Sequence, residues 1–316
     1  MTEQHVGAEP PALEAVGLGK RYRDGWALRD CSFRVPVGRI CAVVGPNGAG
    51  KSTLMSIASH LLVPTEGSVR VLGLPLDDPQ LQSRVSFVAQ DKPLYTGFTV
   101  GELLRLGRDL NPFWDQGRAE EIIAEGRLPL SARIGSLSGG QRTRVSLALA
   151  IGKRPELLIL DEPMSDLDPL ARHQMMGVLM AEAAERGTTV LMSSHVIAEL
   201  ADACDYLLLL SEGRALLAGD IDEIVDSHRL LIGSTTVPRQ SVGPELPAAL
   251  APHQVIDSRQ NGRQLTALVR PDGPVPGDWE ASAPTLEEVL LAHLRSPAAP
   301  ALLTDEARPA RSAVAA

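Results

Sequence analysis

The sequence predicts an α/β fold, a parallel sheet with helices on its faces, followed by a smaller α+β unit. Three observations lead there. Short apolar runs that read as buried strands recur at residues 39–44, 85–89, 157–160 and 188–193. Helical stripes fall between them, among them Leu54, Ile57, Ala58 and Leu61, and later Met176, Leu179, Met180 and Ala183. Strand–helix–strand alternation of this kind brings parallel strands together under crossover helices. From about residue 229 the rhythm changes to a hairpin and one short helix.

Residues 1–13 are polar and contain proline, which predicts a loose tail. The main domain then runs over residues 14–228. Its run RICAVV (39–44) ends on Gly45, and the first helical stripe follows. Residues 91–140 break the alternation. They hold two helical stretches, 102–110 and 118–125, and read as a mostly helical insertion. Residues 229–295 predict an accessory α+β domain. There, segments 254–259 and 263–269 flank Gln260-Asn261-Gly262, a strong hairpin signal. Thr285 and Glu288 have the spacing of a capping box, opening a helix with Leu286, Val289, Leu290 and Leu294. Residues 296–316 are rich in Ala and Pro and predict a disordered tail.

Composition narrows the function. Aromatics make up 3% of the 316 residues and hydrophobic residues 44%, so the core must be aliphatic. A formal net charge of −9 repels a phosphate backbone, so no nucleic-acid partner is expected. Cys31, Cys41 and Cys204 are scattered and odd in number, which offers neither a disulfide framework nor a metal-ligand spacing. No basic segment followed by an apolar one opens the chain, so no signal peptide is expected. The densest apolar run, 206–210, is far too short to span a bilayer. If the protein serves a membrane, another chain must cross it.

Gly45-Pro46-Asn47-Gly48-Ala49-Gly50-Lys51-Ser52-Thr53 fits the phosphate-binding pattern G-x-x-x-x-G-K-[ST], placed between an apolar strand and a helix as that pattern requires. The glycines let backbone N–H groups turn inward onto phosphate oxygens. The helix that begins near Lys51 aims its positive end at the same anion. Lys51 adds a point charge at the β/γ-phosphates, and the Ser52 hydroxyl is suited to ligate Mg²⁺. A second apolar strand, LLIL (157–160), ends in Asp161 and Glu162. A strand-end Asp beside such a loop is placed to hold the Mg²⁺ shell, which leaves Glu162 to orient and deprotonate a water. The expected ligands are therefore ATP and Mg²⁺.

Leu137-Ser138-Gly139-Gly140-Gln141 lies about 20 residues before the Asp-Glu pair and precedes an apolar helix. With it the chain resembles the ATP-binding cassette (ABC) family of P-loop NTPases, whose signature is LSGGQ. The resemblance implies a RecA-like core with a helical insertion. It also implies that Ser138, Gly139, Gly140 and Gln141 contact the γ-phosphate of a nucleotide held by an opposing subunit. Two cassettes, identical or related, would then pair head to tail around two ATP molecules. Four further matches follow from the same resemblance. Gln90 resembles the glutamine that reaches Mg²⁺ and the water, although a strand-end Gln read alone is usually a surface residue. His195 resembles the switch histidine at the γ-phosphate. Asp168, in Ser165-Asp166-Leu167-Asp168, resembles the aspartate of the loop that crosses the dimer interface, while Asp166 departs from the small or apolar residue usual there. Tyr22 matches the aromatic that stacks on adenine, with Trp26 nearby as a rival. The motifs run in family order across residues 22–195, about two thirds of the chain.

One P-loop, one signature and a short insertion without sustained heptads argue against a coiled-coil repair ATPase or a tandem translation factor. The expectation is the ATPase subunit of a membrane transporter, working with a separate transmembrane permease at the cytoplasmic face of a bacterial membrane. Gly97-Phe98-Thr99-Val100-Gly101-Glu102-Leu103 and Asn111-Pro112-Phe113-Trp114-Asp115 resemble single-cassette ATPases of multidrug- and peptide-antibiotic-type exporters. So does Pro284-Thr285-Leu286-Glu287-Glu288-Val289 near the end. An importer ATPase and a soluble non-transport ABC ATPase are the alternatives.

Overall fold

The computed structural model describes residues 9–194, 203–234, 250–275 and 279–309. Its centre is a sheet of seven strands in the order β15-β10-β9-β3-β8-β7-β6. Strands β6 (Val85–Val88), β7 (Leu157–Leu160), β8 (Thr189–Ser193), β3 (Ile40–Val44) and β9 (Tyr206–Ser211) run parallel. β10 (Arg214–Asp220) turns back antiparallel to β9. β3, β6, β7 and β8 are the expected buried strands, while β9, on the apolar run 206–210, and β10 were not foreseen as strands. Each is apolar because both faces of the sheet are covered.

Alternate residues feed two separate cores. Ala42, Val44, Leu158, Leu160, Val190 and Met192 point to one side, where they meet helices α3 (Val100–Leu110), α4 (Gln116–Glu125), α5 (Gly139–Gly152) and α6 (Pro169–Arg186). Cys41, Val43, Leu157, Ile159 and Leu191 point to the other, against helix α1 (Lys51–Ala58). That second face carries an element the alternation did not foretell. Strands β1 (Leu13–Tyr22), β2 (Gly25–Val35), β4 (Glu66–Val71) and β5 (Leu74–Pro75) form a separate antiparallel sheet in the order β2-β1-β4-β5. Its buried Leu13, Leu18, Phe33 and Val71 close the core over α1.

Two predicted stripes shift in the fold. Helix α1 ends at Ala58, so Leu61 lies beyond it and is exposed. On α6 the buried positions are Met175, Val178, Leu179 and Glu182, while Met180 is exposed. The stripe turns by about one residue because Glu182 lies buried at the α4–α6 contact. Its carboxylate accepts from the Arg118 guanidinium at 2.6 Å and pairs with Arg186 at 3.6 Å. A buried carboxylate needs such partners.

The third sheet, β12-β13-β11-β14, is antiparallel: β11 (Arg229–Ser234), β12 (Gln254–Asn261), β13 (Gln264–Arg270) and β14 (Glu280–Ser282). Asn261 pairs with Gln264, so the hairpin turns at Gly262-Arg263, and Gly262 takes a φ of 62°. Trp279 lies over Gly233 and closes one face of this sheet with Leu231, Leu265 and Val269. Leu268 and Ile256 on the other face join the helix Leu286–Arg295, whose Val289 and Leu290 belong to the same core as α3–α6. The Thr285–Glu288 capping box is formed. Buried His228 and His293 meet across the junction, Nε2 to Nε2 at 3.2 Å.

The described parts of both expected tails, residues 9–13 and 296–309, are packed against the fold. Ala12 and Leu13 are buried, and the Ala12 carbonyl accepts from Leu72 N–H. β15 (Leu302–Leu303) adds a parallel strand beside β10, and Ala307 enters the core. Glu306 joins Asp205 and Asp220 around the Arg39 guanidinium at 3.3–3.4 Å. Burial of Leu302 and Ala307 overcomes a composition that favours disorder. Among the described residues, no helix is long and apolar enough to cross a membrane.

Candidate functional site

β3 ends at Val44, and the chain turns through Gly45–Gly50 into α1. Two positions there permit no side chain. A Cβ on Gly45, at φ 154°, would strike the Leu210 carbonyl, and one on Gly50, at φ 102°, would strike the Ala27 carbonyl. Gly50 is the N-cap of α1 and supplies no side-chain acceptor, so the amides at this helix start face the cleft without a protein cap. The cleft, of about 620 Å³, is lined by Asn47, Gly48, Ala49, Gly50, Lys51, Ser52 and Thr53, with Ala27, Gln90 and Glu162.

Lys51 is almost wholly buried, at 7% exposure. Its ammonium donates to the Gly45 carbonyl at 2.7 Å and the Pro46 carbonyl at 3.2 Å. Burial pulls its pKa below the usual lysine value, and the charges of Glu162 and Asp161 pull the other way. The loop thus holds a cation poised for an anion to displace its carbonyl contacts.

The carboxylates stand opposite. Asp161 continues β7 through its amide, which donates to the Val88 carbonyl. It is buried, and its Oδ1 accepts from the Ser193 hydroxyl at 2.7 Å. The same hydroxyl accepts from the Glu162 amide at 2.8 Å. Ser193, at the end of β8, therefore fixes both residues at once. Glu162 has a φ of 46°, a left-handed conformation that costs a side-chain-bearing residue on the order of 1 kcal/mol or more. The Ser193 hydroxyl holds this backbone through the Glu162 amide, and Glu162 lines the cleft. Gln90, just after β6, donates to Glu162 Oε2 at 3.5 Å, a long contact.

The remaining predicted residues lie elsewhere. Ser138 caps α5: its hydroxyl accepts from Gln141 N–H at 3.2 Å, and Gln141 Oε1 accepts from Ser138 N–H at 3.0 Å. None of Ser138, Gly139, Gly140 or Gln141 lines the cleft. Asp168 is the N-cap of α6, accepting from Ala171 N–H at 2.9 Å, with Pro169 in the first turn. Tyr22 ends β1 opposite Gly25, half exposed, with the Lys20 ammonium 5.6 Å from its ring. Ala27, not an aromatic ring, supplies the β2 wall of the cleft. His195 lies outside the described residues.

The sequence matches the family described as ABC transporter over residues 28–165. It is 34% identical over 259 residues to the Nod factor export ATP-binding protein I of Rhizobium meliloti, covering 78% of this chain and 75% of that one. The chain belongs to the ABC transporter family. An uncharacterized ABC transporter ATP-binding protein of Nostoc sp. is 32% identical, with 69% of each chain covered. A solved ATP-binding subunit of an ABC transporter superposes with a TM-score of 0.63 at 31% identity, covering 68% of this chain and 92% of its own. A bacterial ABC transporter cassette solved as a dimer gives 0.60 at 26% identity, covering 66% and 98%. This chain is an ATP-binding, ATP-hydrolysing subunit of an ABC transporter, and cassettes of the family dimerise and serve a transmembrane partner.

Two residues of this ABC cassette's site were not singled out from the sequence. Ser193 carried a faint signal, a hydroxyl ending an apolar strand. Ala27 carried none, because β2 reaches the P-loop only through the tertiary fold.

Proposed function

We propose that two cassettes, this one and a copy or relative, pair head to tail around two ATP molecules, each P-loop facing the other's Ser138–Gln141. One observation carries the reading. A single subunit gathers the P-loop, Gln90 and Glu162 in one cleft and leaves a second helix start, at Ser138, outside it.

In this reading the amides of Gly48–Ser52 and the Lys51 ammonium hold the β- and γ-phosphates. Lys51 gives up its contacts to the Gly45 and Pro46 carbonyls as it does so. Ser52, Asp161 and Gln90 fit a magnesium ion: one hydroxyl and one amide at the cleft, and one buried carboxylate oriented by Ser193. Bound there, Mg²⁺ would neutralise charge on the phosphates. Glu162, set by its left-handed backbone and the Ser193 hydroxyl, orients and deprotonates the attacking water, with Gln90 and His195 completing the cage. Tyr22 is the adenine-stacking candidate, and Asp168 anchors the loop toward the partner. Closure of the pair excludes water from the phosphates.

The membrane half of the machine is a separate chain. The insertion offers it Tyr95, Phe98, Leu110 and Phe113, all exposed, and a groove of about 280 Å³ lies between the Gln90 loop and α5. We infer export as the direction and the cytoplasmic membrane face as the location, supported by relatives named as export ATP-binding proteins.

Glu162→Gln tests the chemistry. The variant is expected to bind ATP, hydrolyse it at least ~100-fold more slowly, and elute as an ATP-dependent dimer on gel filtration. Near-normal phosphate release would remove Glu162 from its role, and a monomer at saturating ATP would remove the shared site.

A further inference from the structure

Lys92 is a lysine in a place where lysines are costly. Its side chain is 3% exposed, and its backbone takes a φ of 44° two residues after Gln90. The Lys92 ammonium donates to Asp166 Oδ2 at 2.7 Å and to the Gln90 carbonyl at 3.3 Å. A buried ammonium needs such partners, and here the carboxylate comes from a loop 74 residues away.

Asp166 lies four residues after Glu162, in the turn where the Ser165 hydroxyl donates to the Glu162 carbonyl at 3.0 Å and Leu167 N–H to that of Met164 at 3.1 Å. Its other side rests on the start of α5. Asp166 Cβ is 3.2 Å from where a Cβ on Gly139 would stand, and the Asp166 carbonyl is 3.3 Å from the same point on Gly140. The absent side chains let this loop lie flush against the signature. One ion pair therefore joins three segments: the loop of Gln90, the loop after Glu162, and the glycines that open α5.

We propose that Lys92 and Asp166 are positioning residues for ATP hydrolysis, locking the signature glycines to Gln90 and Glu162 of the same subunit. The proposal rests on the shared-site reading. When the partner's nucleotide seats at Ser138–Gln141, pressure on Gly139 and Gly140 passes to Asp166, then through Lys92 to the Gln90 carbonyl. Each subunit's catalytic groups then sense the occupancy of the other site, which is a coupling between two sites through one contiguous contact chain.

The test compares wild type, Asp166→Ala, Asp166→Glu, Lys92→Met and the double variant Lys92→Met/Asp166→Ala, all as full chains. Phosphate release against ATP concentration gives kcat and the Hill coefficient. A fluorescent ATP analogue without Mg²⁺ gives intrinsic nucleotide affinity, and a thermal melt reports folding. Wild type is expected to show a Hill coefficient above 1. Asp166→Ala and Lys92→Met are expected to lose about tenfold or more in kcat, the scale of a misplaced catalytic group, with the Hill coefficient falling toward 1. Nucleotide affinity stays within about twofold, since the P-loop is untouched. Asp166→Glu, which keeps the carboxylate, retains both kcat and cooperativity. The double variant buries no unpaired charge, so it keeps a wild-type melt and still loses cooperativity.

A wild-type coefficient of 1 overturns the proposal, as does a lower melting temperature with kcat and Hill coefficient unchanged. Glu162→Gln run in parallel separates the two readings. If it forms an ATP-dependent dimer while the Lys92 and Asp166 variants stay cooperative, the lock fails and the shared site stands. If it stays monomeric, the shared site fails and the lock with it.

Discussion

Helix α1 begins at Lys51 behind Gly50, and helix α5 begins at Gly139 behind Ser138. Both starts are rich in glycine, and both expose amides at the positive end of a helix. They differ in what those amides do. Gly50 offers no side-chain acceptor, and no acidic residue stands in the first turn of α1. Ser138 and Gln141 close a reciprocal capping box on α5. The first start has no anionic cap of its own, and the hydrogen bonds of Lys51 beside it go only to carbonyls. The second has its Gln141 and Ser138 amides satisfied within its own subunit, which leaves the Gly139 and Gly140 amides for the partner's nucleotide in the proposed pairing.

The largest effect should come from breaking the open start. Lys51→Ala removes the one ammonium held against the loop carbonyls, and turnover should fall by ~10²–10³, the scale of a lost electrostatic contact to a reacting group. ATP should no longer raise the melting temperature, because that rise measures binding to the folded state. The protein should remain folded without nucleotide, since the two hydrogen bonds lost with Lys51 go to neutral carbonyls and buried Asp161 keeps its hydrogen bond from Ser193. Turnover within threefold of wild type would show that the open start is not where the phosphates bind.

A smaller recovery tests the closed start. Ser138→Arg and Lys51→Ala should each be inactive alone. Mixed in equal amounts, they should regain up to about one quarter of wild-type turnover: half of the randomly formed dimers are mixed, and each holds one intact composite site. No recovery at any ratio, with mixed dimers demonstrated by cross-linking, would mean that the two helix starts do not serve the same nucleotide.

The open start was legible in the sequence and the surroundings of the closed one were not, for the same physical reason. Gly45–Thr53 is contiguous, and its spacing alone specifies a strand, a turn and a helix. Asp161 and Glu162 announce themselves as charges ending an apolar strand. Their clamp by Ser193 needs β7 and β8 to lie side by side, which no local pattern states. The Lys92–Asp166 pair needs two loops to meet across 74 residues. The alternation of strands and helices predicted the parallel sheet correctly but passed over the antiparallel sheet of β1, β2, β4 and β5, whose strands are joined partly through α1 and partly by short turns. Composition misled at residues 302–307, where a few buried apolar contacts outweigh an Ala/Pro-rich context.

The smallest effect sharpens the comparison most, because it separates the cap from the ligand. Ser138→Ala deletes the acceptor for Gln141 N–H and should destabilise the nucleotide-free protein by ~1 kcal/mol, whereas Ser138→Gly should cost only a few tenths. Thermal melts without ATP read this term alone, as a fall of ~2 °C or less for Ser138→Ala in a chain of this size. Gln141→Ala, which spares the hydroxyl and removes only the acceptor for Ser138 N–H, should fall below it. At α1 no matching experiment exists, because a residue with a side chain at Gly50 would strike the Ala27 carbonyl. If Ser138→Ala and Ser138→Gly melt like wild type yet both lose turnover, the hydroxyl serves the nucleotide and not the helix. If they differ in melting but not in turnover, the cap is the whole of its role and the glycine amides alone meet the phosphate.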